Sequence, residues 1–301
     1  MTTVAPDELG AHVSAAGGVE KAPERASALD ARVLQLFTKQ AQRWHEPALS
    51  EERVAAFRGE REAHRIGVAA AHDSYLINLA SPDAVLCARS LASFVDELRR
   101  STALGLDFVV THPGAATDGD VASALVRNAE AIGMALAEVP GDVRVLLELT
   151  AGAGTCLGGT FEELAAILEG VPEPHRSRMG VCVDSCHAHV GSYDLVGDFD
   201  GAWSAFADIV GMDQLQLMHL NDAKTPQGSR WDRHEHIGQG SLGPEPFRRF
   251  MCEDRFRGVP KLLETPKGKD PVALDRMNLA TLRALRREGV GTPPPRRSRK
   301  G

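Results

Sequence analysis

A repeated alternation of strand-like and helix-like signals constrains this chain more than any other feature. Eight short β-type segments fall at residues 9–13, 32–37, 67–72, 108–112, 144–148, 180–184, 215–219 and 260–264. The second and fourth contain VLQLF and FVVT, the near-continuous apolar runs expected of strands buried on both faces. Residues 90–104 and 122–137, between such segments, carry apolar positions at helical spacing. Alternating strands and helices imply a parallel sheet, and eight repeats within 301 residues imply closure into a (β/α)8 TIM barrel. No linker interrupts the pattern, so residues 1–291 read as one domain. The last ten, TPPPRRSRKG at 292–301, depart in composition and read as a disordered basic tail. That tail either solubilises the chain or adds a weak attraction for phosphate.

The chemistry gathers where these segments end. Six of the eight finish on a residue able to bind a metal: His72, His112, Glu148, Asp184, His219 and Glu264. In a barrel all strand C-termini open on one face, which is where active sites form. Residues spread over nearly two hundred positions therefore converge on one bowl. Two local pairs enlarge the set. Asp184 and His187 lie three residues apart just past a strand, and Asp232 and His234 have the i, i+2 spacing that puts both on one side of an extended segment. The nine candidates are five histidines and four carboxylates, with no thiolate required. Nitrogen and oxygen donors suit zinc, with manganese or iron as alternatives. Nine ligands exceed the needs of one ion and match three if one carboxylate bridges. Three divalent ions against four carboxylates leave a positive site, which attracts a phosphodiester and stabilises charge building on it. A single histidine or glutamate at a strand end is ordinarily a hydrogen-bonded structural group. Six unpartnered ones would cost several kcal/mol in burial, and a shared metal centre removes that difficulty.

Composition adds limits. Hydrophobic residues make up 43% of the chain, with 29 Gly and 17 Pro, a globular balance. The N-terminal MTTVAPDELG does not resemble a signal peptide, and no apolar run is long enough to span a bilayer. Five irregularly spaced cysteines suggest reduced thiols in a cytoplasmic protein, most of them core fillers. The formal charge is −7, which argues against non-specific electrostatic wrapping of a polyanion. It does not argue against a metal-mediated phosphate site, because bound cations are the largest local charges there.

Across almost its whole length the sequence resembles the endonuclease IV family of apurinic/apyrimidinic endonucleases. The matching words are GAHVSAAGG (10–18), HDSYLINLAS (72–81), HPG (112–114), LELTAGAGTCLG (147–158), VCVDSCHAHVGSYDL (181–195), MHLNDAK (218–224), GSRWDRHEHIGQG (228–240) and LLETP (262–266). The resemblance implies a trinuclear zinc centre, with manganese possible at one or more positions. It assigns His72, His112 and Glu148 to one ion. Glu148 bridges to a second, held also by Asp184, His219 and Glu264, and His187, Asp232 and His234 take the third. Glu148 and Glu264 are the carboxylates closest to the implied chemistry. That chemistry is hydrolysis of double-stranded DNA immediately 5′ to an abasic site, leaving a 3′-hydroxyl and a 5′-deoxyribose phosphate. Trimming of damaged 3′ ends is a further implied activity, and the enzyme is expected to act as a monomer.

Recognition is expected from loops on the same rim, since an abasic nucleotide stacks poorly and is extruded at less cost than a normal one. Tyr75 matches a family tyrosine that contacts DNA; its alternative is a packing aromatic. In the loop 38–44 the family's inserted arginine aligns with Gln42, with Arg43 next to it, so either residue is a candidate wedge. Arg230 and Lys224 are phosphate contacts or solvated charges. Leu149 stands where the family has asparagine after the bridging glutamate, a change that could alter support of Glu148. His12 reads as a strand-end structural or substrate-proximal residue, and His189 and His236 as supporting or exposed. Gly10, Gly17 and Gly18 read as tight-turn backbone. Two other functions fit the fold: a sugar isomerase or epimerase using two metals, and a catalytically silent lesion-binding relative.

Overall fold

The computed structural model describes residues 8–289; the 292–301 tail lies outside the described residues. Eight parallel strands close into a barrel: β1 (Leu9–His12), β2 (Val33–Leu36), β3 (Val68–His72), β4 (Phe108–Thr111), β5 (Arg144–Glu148), β6 (Met179–Asp184), β7 (Leu215–His219) and β10 (Lys261–Leu263). Each pairs with its sequence neighbours, and β10 closes the ring between β7 and β1. The two remaining strands, β8 (Asp222–Ala223) and β9 (His234–Glu235), form a small antiparallel ribbon above the barrel. The expected strands are all present, but several are shorter at their ends. His112 and Glu264 sit one residue beyond the last paired residue of β4 and β10.

The surrounding helices are α1 (Ala22–Ser27), α2 (Glu51–Ala63), α3 (Ala84–Leu104), α4 (Val121–Glu138), α5 (Phe161–Gly170), α6 (Glu173–Arg176), α7 (Ser185–Val190), α8 (Phe199–Ile209), α9 (Pro244–Cys252) and α10 (Pro271–Glu288). Local chemistry sets their ends. Asp83 caps α3 by accepting from the Val85 and Leu86 amides, and Gly105 ends it in the left-handed region at φ 69°. Among the described residues no helix is long and apolar enough to cross a membrane.

The position of the site follows from the two-residue period of a strand. One layer of the interior is apolar: Val33, Ala70, Val110, Leu146, Cys182, Leu217 and Leu262 pack together inside the ring. Two residues further along each of these strands, on the same inward face, stand Gln35, His72, His112, Glu148, Asp184, His219 and Glu264. A hydrophobic plug therefore lies directly beneath a polar layer. On β1 the corresponding pair is Gly10 and His12. Gly10 is not a turn glycine as expected from sequence: a Cβ there would lie 1.7 Å from the Val33 carbonyl oxygen, so close approach of β2 excludes a side chain. Gly17 and Gly18 do match the turn expectation, with φ of 87° and 132°.

Candidate metal centre

Glu148 is the hub. Its carboxylate is fully buried and surrounded by imidazoles from four elements. Oε2 lies 3.1 Å from both His72 Nε2 and His112 Nε2, while Oε1 lies 3.1 Å from His219 Nδ1 and 3.3 Å from His187 Nδ1. Burial alone would push this carboxyl up, but the charges of His219 and His112 hold it well below the usual carboxylate range. Glu264 lies 3.3 Å from His219 Nδ1 on one side and 3.3 Å from His12 Nδ1 on the other.

The second local pair is built by capping. Asp184 ends β6 and its Oδ1 accepts the His187 amide at 2.9 Å, starting α7 and fixing His187 one turn later. His187 Nε2 then stands 3.2 Å from Asp232 Oδ2, and Asp232 Oδ1 stands 3.2 Å from His234 Nε2. The ribbon β8–β9 brings Asp232 and His234 over the mouth; buried Asp222 anchors it by accepting the Gly240 and Leu242 amides at 2.9 and 3.0 Å.

The nine residues singled out from the sequence thus meet in one place, in three groups of which the first two share Glu148. They are His72, His112 and Glu148; then Glu148, Asp184, His219 and Glu264; then His187, Asp232 and His234. Within each group the potential ligand atoms lie within 4.8 Å of one another. Two observations fit a metal to these groups. Buried His234 Nε2 completes no hydrogen bond although two carboxylates flank it, leaving a nitrogen lone pair or proton without a partner. The donors are imidazole and carboxylate in the ratios hard or borderline divalent cations take. Cys186 approaches Asp184 and His234 within the same limit, but burial pushes its thiol up, so it is a poor ligand beside the oxygen and nitrogen donors.

Supporting residues missed in the sequence complete the site. Gln35 Nε2 donates to Glu264 Oε1 at 2.6 Å while its Oε1 accepts a hydrogen bond from His219 Nε2 at 2.9 Å, which leaves Nδ1 of His219 facing Glu148. Asn221 Nδ2 donates to Asp184 Oδ2 at 2.6 Å and its Oδ1 accepts the Glu264 amide at 2.8 Å. A signal for Gln35 did exist: it is the one polar residue in an otherwise apolar strand. Leu149 resolves the expected loss of support. Its side chain is core, and residue 149 reaches the site through its carbonyl, which receives His187 Nδ1 at 2.9 Å. His12 contacts Glu264 at the end of its strand; His236 Nδ1 meets Asn278; His189 is buried, not exposed.

The rim candidates are all exposed. Tyr75 is 61% exposed, its ring centre 5.6 Å from that of Phe37 in an edge-on arrangement and 6.3 Å from that of His112 in a stacked one. Gln42 and Arg43 occupy a turn of the loop between β2 and α2, and Arg230 takes a left-handed conformation at φ 56°. Lys224 is half exposed, 3.9 Å from Glu235.

A closed eight-stranded barrel with this ligand layer defines a class, and the family model described as "Xylose isomerase-like TIM barrel" matches residues 23–286. Within it, the chain is 44% identical over 280 residues to the "Probable endonuclease 4" of Chloroflexus aggregans, covering 92% of this chain and 97% of that one. The crystal structure of endonuclease IV from Thermus thermophilus matches with a TM-score of 0.83 at 36% identity, over 93% of this chain and 99% of that one. The chain belongs to the endonuclease IV family. A D-tagatose 3-epimerase-like protein matches with a TM-score of 0.68 at 15% identity, over 94% and 100% of the two chains, a likeness of fold alone.

Proposed function

We propose that this chain is a metal-dependent apurinic/apyrimidinic endonuclease that hydrolyses the phosphodiester bond 5′ to an abasic site in duplex DNA. The observation that carries the reading is the convergence of nine imidazole and carboxylate donors into three groups, two of them sharing Glu148 and the third touching it through His187 Nδ1 at 3.3 Å. The names of its relatives point the same way. His72, His112 and Glu148 would hold one ion, Glu148, Asp184, His219 and Glu264 a second, and His187, Asp232 and His234 a third, with zinc best suited to the donors. When bound, such ions supply Lewis acidity toward a phosphoryl oxygen and a water acidified to near neutrality.

The chain's own residues do the rest. Glu148 shares its two oxygens between the first two groups. Gln35 sets the face that His219 presents, and Asn221 holds Asp184 and Glu264 in mutual register. The apolar layer beneath keeps water from entering the bowl from below. Tyr75, Gln42, Arg43 and Arg230 stand on the rim where DNA would approach. A sugar isomerase needs two metals and gives the His187, Asp232 and His234 group no task, so the nuclease reading accounts for more of the site.

A duplex carrying one tetrahydrofuran abasic analogue tests this directly. Metallated protein should nick it once, 5′ to the analogue, and prolonged chelation should abolish the nick. Intact duplex after incubation with fully loaded protein would end the proposal. Elemental analysis tests the ligand sets: Glu148→Ala should lose two ions per chain and His234→Ala one, and unchanged metal content in either would refute its assignment.

A further inference from the structure

Trp231 is the most exposed large aromatic of the described residues, at 71%, and it directly precedes Asp232 of the third group. A lone exposed apolar residue means little. This one is held out by the backbone on both sides. Arg230 before it adopts φ 56°, a strained conformation for a non-glycine residue, and donates its amide to the Val190 carbonyl at 2.7 Å. The Trp231 carbonyl accepts from Thr225 Oγ1 at 2.7 Å, and Ser229 Oγ ties Thr225 to the Trp231 amide. Gly228 is pinned to the His189 carbonyl, and Ser241 Oγ to the Thr225 carbonyl. A loop this well tied could bury an indole; instead it presents one. Among the described residues the indole meets no aromatic ring and no cation in stacking range.

Barrel order gives the second half of the argument. The strands β3 and β7 are four apart in either direction around the ring, so the loops following them stand on opposite sides of the mouth. The first carries Tyr75, and the second leads into the β8–β9 connection that carries Trp231 and is tied to α7, with the nine donors between. Two exposed aromatics thus bracket the site in which a phosphate would be cut.

Resting on the nuclease reading above, we infer that Trp231 is a stacking platform for a nucleobase flanking the scissile phosphate, across the mouth from Tyr75. Stacking on an aromatic ring works for any base, and the cost of unstacking a base to meet it is least at a damaged site. The backbone that carries the ring is already tied down before DNA arrives, so little loop entropy is lost on contact.

The test compares wild type with Trp231→Ala and Trp231→Phe, all fully metallated, on tetrahydrofuran duplexes with a purine or a pyrimidine beside the lesion. The alanine variant should raise KM roughly five- to hundredfold with turnover at saturating DNA nearly kept, and phenylalanine should recover most of the loss. Wild type should favour the purine neighbour and the alanine variant should not. Tryptophan fluorescence should be quenched on titration with the duplex, and the quench should shrink sharply in Trp231→Phe, because Trp203 is buried and Trp44 lies under Arg89. Unchanged KM in Trp231→Ala, or a KM rise that comes with loss of metal, would overturn the stacking role. Wild type that fails to nick would sink the nuclease reading instead, and the fluorescence titration would then decide the stack alone.

Discussion

Protons and metal ions compete for the same atoms at the mouth of this barrel. Burial disfavours a charged His72, but its hydrogen bond to Glu148 and that carboxylate's charge outweigh the burial and lift the ring to about 9. His234 is likewise lifted against burial to about 9, by the charges of Asp184 and Asp232. Both rings in the metal-free protein are therefore protonated at neutral pH, whereas a free imidazole would be mostly neutral. The sign follows: a cation must displace those protons, so its affinity rises with pH up to about 9 and falls below it. Zinc loading at pH 7.5 should release about two protons or more per chain. Calorimetric titrations in buffers of different ionisation enthalpy measure this, and heats that do not depend on the buffer would contradict it. Tyr75 is affected by the same field: burial first, then the carboxylates of Glu264 and Glu148, push its phenol up to about 12, so it stays a neutral donor across the physiological range.

At the scale of elements, α3 and the loop that follows β2 act as one piece. Arg100 donates to the carbonyls of Thr38, Glu46 and Pro47, and Lys39 reaches the Ser93 carbonyl at 2.7 Å from inside the protein. Thr38 also bonds Glu97, and Arg89 covers the ring of Trp44. The loop bearing Gln42 and Arg43 is thereby fixed at both ends, which lowers the entropy lost when it meets a partner. Arg100→Met should cost about 2–4 kcal/mol in stability, since it strands buried carbonyls and Asp96. It should also raise KM for the lesion duplex while metal content holds; full activity with a loosened loop would show that the loop does not need this order. The Arg100 and Lys39 clasps were not legible in the sequence, because each reaches some fifty to sixty positions away to a backbone carbonyl that any residue type supplies. The donors were legible for the opposite reason. His72, Glu148 and Asp184 each lie at the end of a strand, so side-chain identity and inward parity coincide. Gln35 broke the apolar pattern and could have been noticed; the Leu149 carbonyl could not.

For the whole molecule, the separation of plug and ligand layer predicts how the protein responds to losing metal. The outer and inner apolar clusters use no donor residue, so a stripped chain should stay folded and melt in one transition at a lower temperature. Binding at a thousandfold over the dissociation constant stabilises by about 4 kcal/mol, or roughly 6 °C for a chain of this size. Chelation followed by calorimetry checks the drop, and a melting temperature indifferent to chelator would count against a tightly held centre. The ions should not leave together. Asp232 is half exposed while Glu148 is closed off at 1%, so the group of His187, Asp232 and His234 should empty first.

The closing position of β10 between β7 and β1 has a consequence for the cell that makes this protein. On the proposed ligand sets, Glu264 arrives last and completes a group begun almost a hundred and twenty residues earlier at Glu148. A nascent chain still emerging from the ribosome, or one cut short by a broken message, lacks that final donor. On those ligand sets, unfinished copies should be blunt, and cutting power should come only once the scaffold is whole.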